Sequence, residues 1–266
     1  MTALDHRPAP GAGHATRLEA DVLAALATVL DPELDEPITD LGFVRSIRID
    51  DAGVTVHLRL PTSFCSPNFA YLMGSDALDA LEGIDGIGQV RVLLDDHHDS
   101  DKINTGLDAH AGYRGTFGVE ALDSLDELRL TFRRKAHTAA MERCVAAEIT
   151  SGRVLVSEVD RLALRDLPRG HRKSALLRRR MELGLSVCPN SLVVVDEEGR
   201  PLPPEQVPMR LRFARSVRIS MEGNSHFCRG LLATRYADDP ACDGQSGPVI
   251  TDLRTTHGSS TRTEQE

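Results

Sequence analysis

Cys65 stands in the run Leu60-Pro61-Thr62-Ser63-Phe64-Cys65-Ser66-Pro67-Asn68, just ahead of a stretch with helical periodicity. A thiol at that point meets the partial positive charge and unpaired N–H groups of a helix start, which favour the thiolate. The thiolate is the form that attacks electrophiles or ligates iron. A lone cysteine is also commonly a small buried apolar residue, and its type alone leaves both readings open. Upstream, Asp31, Glu33, Asp35, Glu36 and Asp40 crowd the loop between Leu30 and Val44. Carboxylates and prolines are ordinary in loops, and Asp40 can serve the turn that Gly42 permits. Nothing in their spacing makes them catalytic.

A third cluster is Asp95-Asp96-His97-His98-Asp99-Ser100-Asp101, with six oxygen or imidazole ligands in seven residues. It could bind a divalent metal through His97, His98 and Asp96. Adjacent residues of an extended segment point to opposite sides, so both imidazoles rarely reach one ion. A solvated loop is the simpler reading. The five cysteines, at 65, 144, 188, 228 and 242, are odd in number and widely spaced. Without a Cys-x-x-Cys they indicate neither a zinc ribbon nor a disulfide framework. Cys144, Cys188 and Cys228 could add ligands, but their spacing matches no cluster motif.

The elements that must position Cys65 are legible. Leu18, Val22, Leu26 and Val29/Leu30 recur at helical intervals, Thr16 and Glu19 have capping-box spacing, and Pro32 disfavours helix at Asp31, so a helix is predicted over 17–30. Ile47 and Ile49, the turn Asp50-Asp51-Ala52-Gly53, and the strict alternation of Val54, Val56, Leu58 and Leu60 predict a β-hairpin. A helix over about 67–82 and a strand over 89–94 follow. The order α-β-β-α-β should close by a right-handed crossover, with the second and third strands parallel. The expected fold is α+β: a mixed three-stranded sheet with helices on one face.

These residues also carry a resemblance. Asp31-Pro32-Glu33, Asp40-Leu41-Gly42, and Thr62 three residues before Cys65 are similar to the marks of the FSCA domain, the iron–sulfur cluster assembly domain of PaaD-like and SufT-like proteins. The resemblance spans residues 17–95. It implies the same α-β-β-α-β fold and a role in assembling or delivering an iron or iron–sulfur cofactor. Cys65 would be the transient ligand, with Thr62, Asp31, Glu33 and Asp40 around it. The partners implied are a client metalloenzyme or its apo-subunit and other iron–sulfur assembly proteins, with a homodimer as one way to complete a ligand set. One cysteine cannot hold a cluster alone. The extended chain also resembles accessory proteins of multicomponent monooxygenases, which makes such an enzyme the expected client.

Beyond residue 95 the sequence says less. Residues 96–118 read as a linker with a Gly-rich end that lacks the Gly-Lys-Ser/Thr of a phosphate loop. A long amphipathic helix is predicted over 119–149, with Leu122, Leu125, Leu128, Phe132, Ala136 and Ala139 in its stripe. A strand over 153–159 and a helix over about 172–183 follow. The seven basic residues Arg165, Arg169, Arg172, Lys173, Arg178, Arg179 and Arg180 read as a solvated face, or one that meets a client's acidic surface or a phosphate group. Strands near 192–195, 209–213 and 216–221 are expected to make the end of a mixed α/β C-terminal region, 119–236. Residues 1–16 and 237–266 read as a flexible lead and a disordered tail.

The chain has 266 residues, a net charge of −9 and a sequence pI near 5.6. That balance disfavours broad binding of nucleic acid or anionic membranes. Aromatics are only 4% and Trp is absent, so the core must be built on Leu, Val and Ala. No apolar run approaches the ~18 residues of a membrane span, and the first sixteen residues lack the apolar core of a secretory signal. The expected compartment is the reducing cytoplasm, with free thiols. Beside the cofactor-assembly reading stands a metal-free chaperone or binding module for a client subunit. A Cys-dependent hydrolase is the less supported alternative, because none of His57, His97 and His98 has a recognisable spacing to Cys65.

Overall fold

The computed structural model describes residues 12–121, 125–237 and 247–254. Leu122 of the predicted stripe and Cys242 lie outside the described residues. The chain divides into two compact units. The first holds residues up to Leu30, Pro37–Gly118 and Leu231 onward, and the second Asp31–Glu36 and Val119–Gly230. No helix among the described residues is long and apolar enough to cross a membrane.

In the first unit, α1 (Ala12–Leu26) leads to the hairpin β1 (Val44–Asp50) and β2 (Gly53–Leu58). Helix α2 (Pro67–Glu82), β3 (Gln89–Leu94), α3 (Ser100–Asp108) and α4 (Gly112–Phe117) follow. The hairpin turn is fixed by Asp50, whose Oδ1 accepts the N–H groups of Ala52 at 3.0 Å and Gly53 at 3.2 Å. Strands β2 and β3 run parallel, as the crossover rule requires. Val54, Val56 and Leu58 are buried, which matches their alternation.

Several boundaries differ from the sequence reading. Helix α1 starts at Ala12, so Thr16 is inside it rather than capping it, and it stops at Leu26. Residues 96–118, expected as a linker, hold α3 and α4. Asn104 on α3 pairs its side-chain amide with the backbone of Leu94, giving the outer strand β3 polar partners. On α4, Tyr113 donates to Asn68 Oδ1 at 2.6 Å and packs with Phe117 against Tyr71.

The sheet has a fourth strand, β4 (Val249–Asp252), in what was expected to be a disordered tail. It pairs parallel to β1, with Ile47 opposite Ile250, giving the order β3-β2-β1-β4.

The second unit is built on α5 (Leu125–Thr150), α6 (His171–Glu182) and α7 (Val207–Arg235), whose last turn belongs to the first unit. Its core gathers Met141, Cys144 and Val145 of α5 with Leu162, Leu164, Leu176, Val193 and Ala214. The strands expected here are not formed. Residues 156–161 are a 3₁₀ turn, and 209–213 and 216–221 lie within α7. On α7, Val207, Ala214 and Met221 are buried at seven-residue intervals, a helical stripe rather than a strand alternation.

The basic segment is not wholly solvated. Arg179 and Arg180 turn inward. Arg180 is fully buried and donates to the carbonyls of Ser186, Leu192 and Val193, so it ties down the loop that follows α6.

Candidate functional site around Cys65

The loop over residues 60–66 joins β2 to α2. Pro67 occupies the first helical position, where its missing N–H costs nothing. Ser66 sits at the cap without a side-chain bond, and its carbonyl accepts from Phe69 at 2.9 Å and Ala70 at 3.0 Å. Cys65 is therefore one residue outside the start of a sixteen-residue helix, with its sulfur half-buried and free. Thr62 Oγ1 accepts the N–H of Phe64 at 3.2 Å and lies 3.6 Å from Cys65 Sγ. Either atom can be the donor in that contact: the hydroxyl donates to a thiolate or accepts from the thiol S–H. Phe64 beside it is 83% exposed and stacks on the exposed ring of His98, 6.0 Å between centroids.

The His/Asp cluster supports this loop. His97 is buried. Its Nδ1 accepts the N–H of Asp99 at 3.0 Å, which leaves the proton on Nε2. That Nε2–H donates to the carbonyl oxygen of Cys65 at 2.8 Å. Both ring nitrogens are thus committed to backbone, and the imidazole faces the cysteine's carbonyl rather than its sulfur. His97 is neither an open metal ligand nor a base for the thiol in this arrangement. His98 donates its N–H to Ser63 O at 2.9 Å while its ring stays exposed. Asp96 is exposed in a left-handed conformation (φ 52°). His57 pairs through Nδ1 with Asp95 Oδ1 at 2.9 Å, and Arg45 holds the other oxygen of Asp95 at 3.1 Å.

The carboxylate loop is split between the two units. Asp40, in the first unit, is exposed at a turn closed by Gly42 (φ 76°), and its Oδ1 accepts from Thr39 Oγ1 at 3.3 Å. Asp31 and Glu33 belong to the second unit. Asp31 is buried, and its Oδ1 accepts the N–H groups of Glu33 at 2.9 Å and Leu34 at 2.8 Å. Burial pushes its carboxyl up to about 6 despite those two bonds. Asp35 pairs with both Nε and Nη2 of Arg179. Glu36 pairs with Arg229, and Glu33 accepts from Asn224 at 3.3 Å. Within this unit Asp35 of the acidic loop pairs with Arg179 of the basic segment, while Glu33 and Glu36 pair with residues of α7.

Among the described residues, no group of three or more His, Cys, Asp or Glu side chains is placed to hold a metal ion. Cys144 lies in the core of the second unit, where burial pushes its thiol up to about 11. Cys188 is exposed in a loop, and Cys228 is half-buried on α7.

Sequence reasoning missed two contributors. The sequence offers His97 as a metal ligand, whereas in the fold it is a backbone donor. Arg235 reaches the Cys65 loop from a position that no motif marks, because the contact exists only in the folded chain.

Residues 19–94 match the family profile described as iron-sulfur cluster assembly protein. The chain is 35% identical over 78 residues to an uncharacterized protein of Methanocaldococcus jannaschii, covering 29% of this chain and 80% of that one. It is 36% identical over 83 residues to an iron-sulfur cluster carrier protein of Mycobacterium leprae, covering 31% of this chain but only 21% of the carrier protein. No solved structure matches.

Proposed function

Because the chain belongs, through residues 19–94, to the iron-sulfur cluster assembly protein family, we propose that it helps assemble an iron or iron–sulfur cofactor and deliver it to a client metalloenzyme. The cluster is cargo, and Cys65 is its transient ligand. One observation carries this reading. The family-matched stretch presents a free, half-buried thiol at a helix start, with a threonine hydroxyl 3.6 Å from its sulfur.

A single thiolate does not complete a cluster's ligand set. The remaining ligands then come from a second copy, an assembly protein or the client, which suits a transfer role better than storage. A multicomponent monooxygenase is the client we infer, on the likeness of the extended chain to accessory proteins of such systems.

The test is anaerobic reconstitution with ferrous iron and sulfide, followed by analysis of both in the wild type and Cys65→Ser. Retention by the wild type and loss in the variant supports cargo binding at Cys65. Equal retention by the two, or none in either, overturns it and leaves the metal-free client chaperone as the reading to pursue.

A further inference from the structure

We propose that Arg235 is a positioning residue for Cys65, an inference that rests on Cys65 being the working thiol of this site. Arg235 closes α7, far beyond the family-matched stretch. Its Nη1 donates to Leu60 O at 3.1 Å, and its Nη2 donates to Ser63 Oγ at 2.8 Å and to Asp96 O at 2.5 Å. Leu60 and Ser63 belong to the loop that carries Cys65. Asp96 belongs to the loop that carries His97, whose Nε2–H holds the Cys65 carbonyl. One guanidinium therefore joins the two backbone segments that fix the cysteine.

The guanidinium is itself held. It lies 5.2 Å from the ring centroid of the buried Tyr236, and the guanidinium of Arg59 lies 5.2 Å from the same ring. The Tyr236 O–H donates to Asp96 Oδ2 at 3.4 Å. Arg59 in turn donates from Nε to Gly42 O at 3.2 Å. A planar fork with fixed donors can hold acceptors in three directions at once, which a lysine ammonium on a flexible stem does less well. Bracing of this kind holds a reactive group to its working geometry.

The test is competitive alkylation of the full-length protein with iodoacetamide at one pH near neutrality, read at peptide level. Exposed Cys188 is the internal reference, buried Cys144 reports on the second unit, and the far-UV circular dichroism spectrum reports on the fold of the whole chain. In Arg235→Ala, the Cys65-to-Cys188 labelling ratio is expected to fall by about threefold or more while Cys144 stays protected. Arg235→Lys should recover part of the loss. Ser63→Ala should lower the ratio less, and adding it to Arg235→Ala should change nothing further, because the two residues act as one unit. A ratio that stays the same or rises in Arg235→Ala overturns the proposal, as does full additivity with Ser63→Ala. If Arg235→Ala exposes Cys144, then Arg235→Lys and Ser63→Ala decide, and unchanged ratios in both overturn it.

The iron measurement separates this inference from the cargo reading. A shifted ratio in a chain that holds no iron keeps the positioning role and removes the cargo. Iron held at Cys65 with unmoved ratios does the reverse.

Discussion

The imidazole of His97 donates to the carbonyl of Cys65 at 2.8 Å and accepts from the N–H of Asp99 at 3.0 Å. Replacing it by alanine leaves two backbone groups without their partner in a poorly solvated place, at a cost of about 1–3 kcal/mol. Urea unfolding of His97→Ala followed by far-UV circular dichroism should show that loss. Iron retention should fall with it, because the loop of Cys65 loses an anchor.

Asp31 and His137 predict opposed pH dependences within the second unit. Burial raises the Asp31 carboxyl from 3.8 to about 6. Its contribution to stability is fully present below pH 4 and is lost as pH rises through about 6. Burial, then the positive charges of Arg180, Arg210 and Arg179, lower His137 from 6.5 to about 4. Its contribution is fully present above pH 6.5 and is lost as pH falls through about 4. Each is on the order of 2–3 kcal/mol, so the two offset each other between pH 4 and 6.5. Relative to wild type, Asp31→Asn should gain stability as pH rises through this window, and His137→Leu should gain it as pH falls. Urea midpoints at several pH values check both slopes. Equal slopes for the two variants would count against the assignment.

The Asp35–Arg179 pair is almost wholly out of solvent, with side chains 7% and 10% exposed. Arg179→Ala strands a buried carboxylate and is expected to cost about 3–5 kcal/mol. The double replacement Asp35→Asn with Arg179→Met removes both charges and should cost clearly less, while asparagine tolerates the positive φ of 57° at that position. A chemical-denaturation series on the three proteins gives the comparison.

Gly42 sits at φ 76°, and a Cβ there would come 3.2 Å from Leu232 Cδ2. Gly42→Ala therefore meets both backbone strain and a tight contact, together about 1–3 kcal/mol. A lowered thermal midpoint with an unchanged far-UV spectrum is the expected result.

Removing residues from 247 onward takes β4 away from β1. The N–H and C=O groups of β1 then form an open edge, which invites pairing between molecules. The truncated chain should show concentration-dependent association by light scattering where the full chain does not.

What the sequence disclosed followed the strength of each local pattern. The alternation through Val54, Val56 and Leu58 announces β2, and the apolar face of 67–82 announces α2, because each period dominates its window. In α7, the short runs 209–213 and 216–221 read as strands. Only the longer spacing of Val207, Ala214 and Met221 shows the helix. Strand β4 is four residues long in a polar surrounding, and its pairing with β1 depends on residues some two hundred positions away. The thiol and its threonine were legible as a motif. The braces His97 and Arg235 were not, since a hydrogen bond to a distant carbonyl leaves no mark on spacing or composition.

The pairing of Ile47 with Ile250 also bears on biosynthesis. During translation β1 is made early, while the strand that covers its outer side emerges only after the whole second unit has been synthesised. The sheet beneath the thiol loop thus has to wait with one side unpaired, or be shielded by a helper. Such long-range closure is slow, because the loop entropy is lost before the contact forms. A nascent chain stalled before residue 249 would still lack the mature sheet, even with every family-matched residue already made.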